Sequence, residues 1–400
     1  MTKMLGGIRV LDLTTVLAGP FTSYHLGLMG ADVIKIEVPG AGDVARDFGE
    51  NEQLRSAGLG PSFVAQNAGK RSITVNLKND DGSQIFQRLL ESADALVENM
   101  RPGVLARLGF PPERIAMINP SLVYCALSGF GQTGPLADRT AYDQIIQGFA
   151  GMASVTGFAE GDPVRVGFPV CDALGGYVAA MATSAALVKS VRTGQGSYLD
   201  VSMLESALTA MSWVVSEELM SGRPARRYGN DNAASSPSGT FMTGDGPINI
   251  ATNTQLQFEA LCEVIGRTDL VGDERFTSRS DRKLHRHELT RELEEALSVK
   301  AAREWELLLA AVSVPVGQLL SVNDALEQEQ IRVRGLVHEI DVHLPARTSV
   351  RVLGSGVHVD GAPLRPTLPP PLLGQHTEEI LSELGYLDVD VEGFRARGAV

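Results

Sequence analysis

Asp172 is the residue best placed to do chemistry. It stands in VGFPVCDALGGYVAAMATSAALV, three residues after Pro169 and at the start of a long apolar stretch that reads as a helix. A carboxylate there has two readings. It can cap the helix by accepting orphan backbone N–H groups. It can also be a nucleophile, held ionised by those same N–H groups and by the helix dipole. A carboxylate with a pKa near about 4 is a weak nucleophile in water. Placed in a dry site against an activated thioester, it gains from positioning and desolvation. Gly175 and Gly176, one turn on, would leave room for a bulky ligand.

Other motifs exclude more than they propose. Gly129-Phe130-Gly131-Gln132-Thr133-Gly134 matches G-x-G-x-x-G and follows a strand, but Pro135 and polar residues follow where an apolar helix should open. It reads as a tight loop, either on the surface or bordering a pocket at a sheet's carboxyl edge. Glu37 sits where a ribose-binding acid would, but without the glycine run. The seven histidines form no H-E-x-x-H pair, so no metal site is expected. No G-x-S-x-G elbow is present. Lys78, Arg101 and Arg107 read alone as solvated surface charge.

The elements that must position these residues follow from the pattern. Ile8–Leu13 and Val33–Val38 are short apolar runs, separated by a Gly19-Pro20 loop and a helical stretch through Leu28. Strand, helix, strand is a βαβ unit, which winds a parallel sheet. Residues 72–77, 95–98 and 121–126 continue it, so the first ~200 residues read as α/β. Val201–Met220 reads as one long helix, and 226–246 as loop. Leu289, Leu293 and Leu297 recur at helical spacing in a separate, more helical segment. Thr377 is expected to cap a late helix that Gly385 ends.

Composition sets outer limits. Four hundred residues with 44% hydrophobic and 21% charged residues suggest a globular protein of two domains. A net charge of -13 opposes nucleic-acid binding but not a small anionic ligand in a local basic pocket. Cys125, Cys171 and Cys262 make no disulfide framework, which suits a reducing compartment. The apolar stretch around Tyr177–Val188 falls short of the ~20 residues of a membrane span and reads as a buried helix. The protein is expected to be soluble and cytoplasmic, with no membrane partner.

The blocks LDLTTVLAGPFTSYHLGLMGADVIKIEVPGAGDVAR, NAGKRSITVNLK, VENMRPGVLARLGF, LSGFGQTGP, TGQGSYLDVSMLESAL and PPPLLGQHTEEIL, with the Asp172 segment, span nearly the whole chain. Together they closely resemble the class III CoA-transferases, the formyl-CoA transferase and carnitine CoA-transferase type. The resemblance implies an α/β fold. Its Rossmann-like large domain (1–200) is completed by the C-terminal segment (346–400). A linker helix (201–227), a smaller inserted α+β domain (228–325) and a second linker (326–345) lie between. Two such chains are expected to interlock as a homodimer.

The resemblance also assigns roles. Asp172 matches the nucleophile, with Asp143 as a second carboxylate beside it. Val16, Leu17, Ala18, Val75, Asn76, Lys78, Asn99, Met100, Arg101, Arg107, Arg139, Tyr142 and Met203 match positions around CoA and the thioester. No permanent cofactor is implied: coenzyme A and acyl-CoA are substrates, with small carboxylic acids as partners. Oxalate and formate enzymes have Gln where this chain has Leu17, and often Arg where it has Val38. Arg46 or Arg139 would then replace a phosphate contact. Their glycine-rich flap is here 231–237, expected to be stiffer. The overall similarity leans toward succinyl-CoA with a dicarboxylate acceptor. The alternative is an α-methylacyl-CoA racemase of the same fold, but such enzymes carry a histidine base where this chain has Tyr142.

Overall fold

The computed structural model describes residues 3–344 and 347–400, and the side chains of residues outside 343–347. The expected domain boundary at 345/346 lies outside the described residues. The chain divides into two compact units. One comprises the chain up to Met152, Arg165–Arg223 and Glu329–Val400, and the other Ala153–Val164 and Pro224–Gln328.

The first unit is built on six parallel strands: β1 (Arg9–Leu13), β2 (Asp32–Glu37), β3 (Arg71–Thr74), β4 (Ala95–Glu98), β5 (Val123–Ser128) and β6 (Ser197–Ser202). Their order is β3-β2-β1-β4-β5-β6. Side chains alternate across the pleat, and both faces are buried, as a parallel sheet covered by helices requires. Leu11, Leu13, Ile34, Ile36 and Ile73 face one layer. There they meet the helix Asp80–Glu91, whose Ile85, Phe86, Leu89 and Leu90 form its apolar face. Asn79 opens that helix by accepting the N–H of Asp81 at 2.9 Å. Late helices (Thr377–Glu383 and Asp388–Ala396) add Ile380, Leu381, Val391 and Phe394 to the same layer. Thr377 is not the cap expected of it: the helix is already under way there, and His376 precedes it.

Val10, Val33, Val97, Val123 and Cys125 face the other layer, against helices α1 (Ala18–Leu28), α2 (Asp143–Phe149) and α3 (Val170–Thr193). The expectation of a buried helix at 177–188, too short for a membrane span, holds for one face only, and the helix is longer than expected. Helix α3 runs 24 residues and, among the described residues, is the one helix long and apolar enough to cross a membrane. Its inner face packs on α1 and β5, whereas Tyr177, Met181, Val188 and Val191 are exposed on the other side. The long helix expected over 201–220 is instead the end of β6 and two helices, Met203–Ala210 and Ser212–Ser221, broken at Met211 and Ser212.

The second unit holds a three-stranded antiparallel sheet, Ser238–Met242, Pro247–Ala251 and Val316–Gln318. Leu289, Leu293 and Leu297 form a fully buried stripe against Phe258, Leu261 and Trp305. The segment 231–237 is held from behind within this unit. Arg279 donates to the carbonyl of Ala234, Arg282 to that of Ser236, and Arg286 to those of Asn232 and Ser235.

Candidate active site

The strand order reverses at β1, where β2 and β3 lie on one side and β4 to β6 on the other. Ligands of open α/β sheets bind at such a switch point, beyond the carboxyl ends of the strands. A cleft of about 300 Å³ lies there. Its walls are Thr15–Leu17 after β1 with Ala18 at the start of α1, Asn99–Pro102 after β4, Leu127 and Ser128 at the end of β5 with Gly129, and Arg139–Tyr142, Met203 and Asp172. Gly129, the first residue of the glycine motif, thus borders a pocket, and Asp200 fixes the loop behind it by accepting the N–H of Gln132 at 3.0 Å.

Asp172 is the third residue of α3, not its cap; Pro169 occupies the cap position. The orphan N–H groups go elsewhere. Asp143, buried at the start of the short helix α2, accepts the N–H of Cys171 at 2.7 Å and that of Asp172 at 3.4 Å with one oxygen. Its other oxygen accepts from Gln147 Nε2 at 2.7 Å. Asp143 therefore caps α3 from outside, and Asp172 is left facing the cleft. The consequence reverses the expectation of a carboxylate held ionised near about 4. Burial, and secondly the charge of Asp143, push the Asp172 carboxyl up to about 7. A more basic carboxylate is a stronger nucleophile, and this one still ionises near neutrality.

Gly175 and Gly176 also serve differently from the expectation. A Cβ at Gly176 would stand 2.9 Å from the carbonyl oxygen of Ala18 and 2.8 Å from Phe21. One at Gly175 would meet Met203 at 3.0 Å. The two glycines admit α1 and Met203, which are cleft walls, rather than a ligand.

Of the expected contacts, Val16, Leu17, Ala18, Asn99, Met100, Arg101, Arg139, Tyr142 and Met203 line the cleft with Asp172. Val75, Asn76, Lys78 and Arg107 do not. Val75 is packed in the core, and Asn76 is tied to the C-terminus through the carbonyls of Gly398 and Ala399. Lys78 and Arg107 lie outside the cleft walls. Arg46 cannot replace a phosphate contact: it is buried, forked onto Glu37 at 2.8 and 2.7 Å, and stacked on Phe63. That pair also occupies Glu37. Arg139 lies over the Phe149 ring at 4.6 Å.

Sequence reasoning missed two groups. Glu98, at the tip of β4, accepts the N–H of Met100 at 2.6 Å and is pushed up to about 7 by burial. Beneath the cleft, Asp12, Lys35, Asp43 and Lys70 form a buried charge network, with Lys70 on Asp12 at 2.8 Å and Lys35 on Asp43 at 3.0 Å. Only pairing makes such burial tolerable. Asp12 inside β1 and Lys35 inside β2, charges within apolar runs, were the available signal.

Comparison with known proteins adds the chemistry. The family model described as CoA-transferase family III matches residues 5–377. The succinyl-CoA:glutarate CoA-transferase of Mus musculus is 35% identical over 399 residues, covering 100% of this chain and 90% of that protein. The acetyl-CoA:oxalate CoA-transferase of Acetobacter aceti is 41% identical over 332 residues, covering 83% of this chain and 84% of the other. A crystal structure of a CAIB/BAIF family protein from Brucella suis superposes with a TM-score of 0.84 at 33% identity, covering 96% of this chain and 100% of that one.

Proposed function

The chain belongs to CoA-transferase family III, and we propose that it moves CoA between carboxylic acids through covalent intermediates on Asp172. The Asp172 carboxylate attacks the donor thioester carbonyl; the C–S bond breaks, giving a mixed anhydride and CoA thiolate. The thiolate attacks the aspartyl carbonyl, releasing the donor acid and leaving an aspartyl-CoA thioester. The acceptor carboxylate attacks that thioester, re-forming an anhydride and thiolate. The thiolate then takes the new acyl group and restores Asp172. Each step exchanges one activated acyl for another, and water must be excluded.

The observation that carries this reading is the raised Asp172 carboxyl, facing a cleft at the sheet's switch point with its helix N–H groups already taken by Asp143. The racemase alternative needs a second proton-transfer base at position 142, where Tyr142 stands 67% exposed. We propose succinyl-CoA as donor and a dicarboxylate as acceptor. The mouse relative's name and the two cleft guanidiniums, Arg101 and Arg139, support that choice.

Two further expectations are carried as proposals. The exposed apolar stripe of α3 fits burial against a second copy of the chain, and three buried thiols suit a reducing cytoplasm. Asp172→Asn is the test of the chemistry. With succinyl-CoA and a panel of acids, transfer should vanish while CoA still binds. Full transferase rate in this variant would end the covalent mechanism.

A further inference from the structure

The backbone entering α1 is held in a conformation it would not choose. Val16 has φ +70°, the left-handed region, which is costly for a β-branched residue. Such strain persists only where the surroundings enforce it. Here the restraints are visible. Asn99 grips Thr15 twice, accepting its N–H at 2.9 Å through Oδ1 and donating from Nδ2 to its carbonyl at 2.8 Å. Asp43 accepts the N–H of Val16 at 3.0 Å, and Lys35 donates to the carbonyl of Thr14 at 2.9 Å. The fit around Asn99 is close: a Cβ on Gly19 would stand 3.0 Å from its Cγ and 2.5 Å from Thr14 Cβ.

Both ends of the Asn99 carboxamide are therefore engaged by protein backbone. That sits poorly with the contact to CoA expected of it, and well with another task. We propose that Asn99 is a positioning residue for the transfer reaction, clamping Thr15 so that Val16 stays left-handed and Leu17 and Ala18 form the cleft wall facing Asp172. The wall also meets the nucleophile's own helix, because the single proton of Thr22 Oγ1 is shared between the carbonyls of Ala18 at 3.0 Å and Gly176 at 3.2 Å. Release of the clamp at one end would displace Leu17 and Ala18 relative to Asp172, and acyl transfer is sensitive to such misplacement. The inference rests on the reading of Asp172 as the nucleophile facing this cleft.

The test is a double-mutant cycle between Asn99→Ala and Val16→Gly, with succinyl-CoA as donor and glutarate as acceptor. Glycine adopts positive φ without cost, so it needs no clamp. In the wild-type background, Asn99→Ala should lower kcat roughly 5- to 30-fold, the factor that one lost conformational restraint of this kind sets. Affinity for CoA, measured by calorimetry, should change by less than about twofold. In the Val16→Gly background the same substitution should cost markedly less. Asn99→Asp, which keeps the acceptor for the Thr15 N–H and loses the donor, should fall between. An unchanged kcat would overturn the proposal. So would CoA binding weakened about tenfold with equal penalties in both backgrounds, which would make Asn99 a ligand contact. Hydrogen exchange at Thr15 and Val16 needs no substrate: it should quicken in Asn99→Ala, and unchanged protection would likewise refute the clamp. If wild-type enzyme fails to transfer between these two acids, the substrate reading fails, while calorimetry and exchange still decide the clamp.

Discussion

Replacing Asp143 by Asn removes its charge from the Asp172 environment, and also turns an NH2 group toward Gln147 Nε2, which donates to the second Asp143 oxygen at 2.7 Å. The oxygen that accepts the Cys171 N–H at 2.7 Å is kept, so helix α3 remains capped, whereas the negative charge is lost. At an effective dielectric of about 20, two unit charges about 4 Å apart interact by about 4 kcal/mol, which is the ceiling for the effect. Burial is the larger cause of the rise to about 7, and Asp143 the second. Asp143, the smaller of the two causes, therefore accounts for less than half of the rise. Only ionised Asp172 attacks, so kcat/KM of the wild type should fall below pH of about 7 and level off above it. Asp143→Asn should move that acid limb down, by less than half of the rise. The assay is the pH dependence of kcat/KM for acyl-CoA formation, alongside a melting curve to show that the cap survives. An acid limb that stays in place, or moves up, would refute the coupling of the two carboxylates.

Other consequences are equally concrete. In the wild type the Asp172 pKa is raised above its unfolded value, so the native state holds a proton that the unfolded state releases between about pH 4 and 7, and stability declines as pH rises through that window. Asp172→Asn should remove the decline and be more stable above pH 7 by about 2–4 kcal/mol, read from urea titrations at two pH values. Asp12→Asn leaves buried Lys70 without its carboxylate and should cost about 3–5 kcal/mol; a loss below about 1 kcal/mol would mean the network carries little. The Asp12 carboxyl is held down to about 2 by Lys35 and Lys70 against its burial, so its contribution should be present above about pH 4 and vanish as pH falls toward 2. Gly176→Ala should press on Ala18 and Phe21, costing about 1–3 kcal/mol and reducing transfer; wild-type melting and activity would show that α1 and α3 do not meet as described.

The sheet was legible because its strands are short apolar runs at βαβ spacing, and Leu289, Leu293 and Leu297 declared a helix face by period alone. Asp172 was legible as a carboxylate at a helix start. Its protonation behaviour was not, because that depends on Asp143, 29 residues earlier, taking the N–H groups that local reasoning had given to Asp172 itself. The same limit applies to Gly175 and Gly176, whose neighbours Met203, Ala18 and Phe21 are distant in sequence. The helix expected over 201–220 failed for another reason. Its apolar residues carry no periodic sign of the break at Met211 and Ser212.

The most direct measurement is mass spectrometry of the Asp172-containing peptide after enzyme and succinyl-CoA are mixed and quenched. The covalent mechanism predicts a CoA adduct on Asp172 that disappears when an acceptor acid such as glutarate is added, as the corresponding acyl-CoA forms. Transfer that proceeds without any adduct at Asp172, and at full rate in Asp172→Asn, would contradict it.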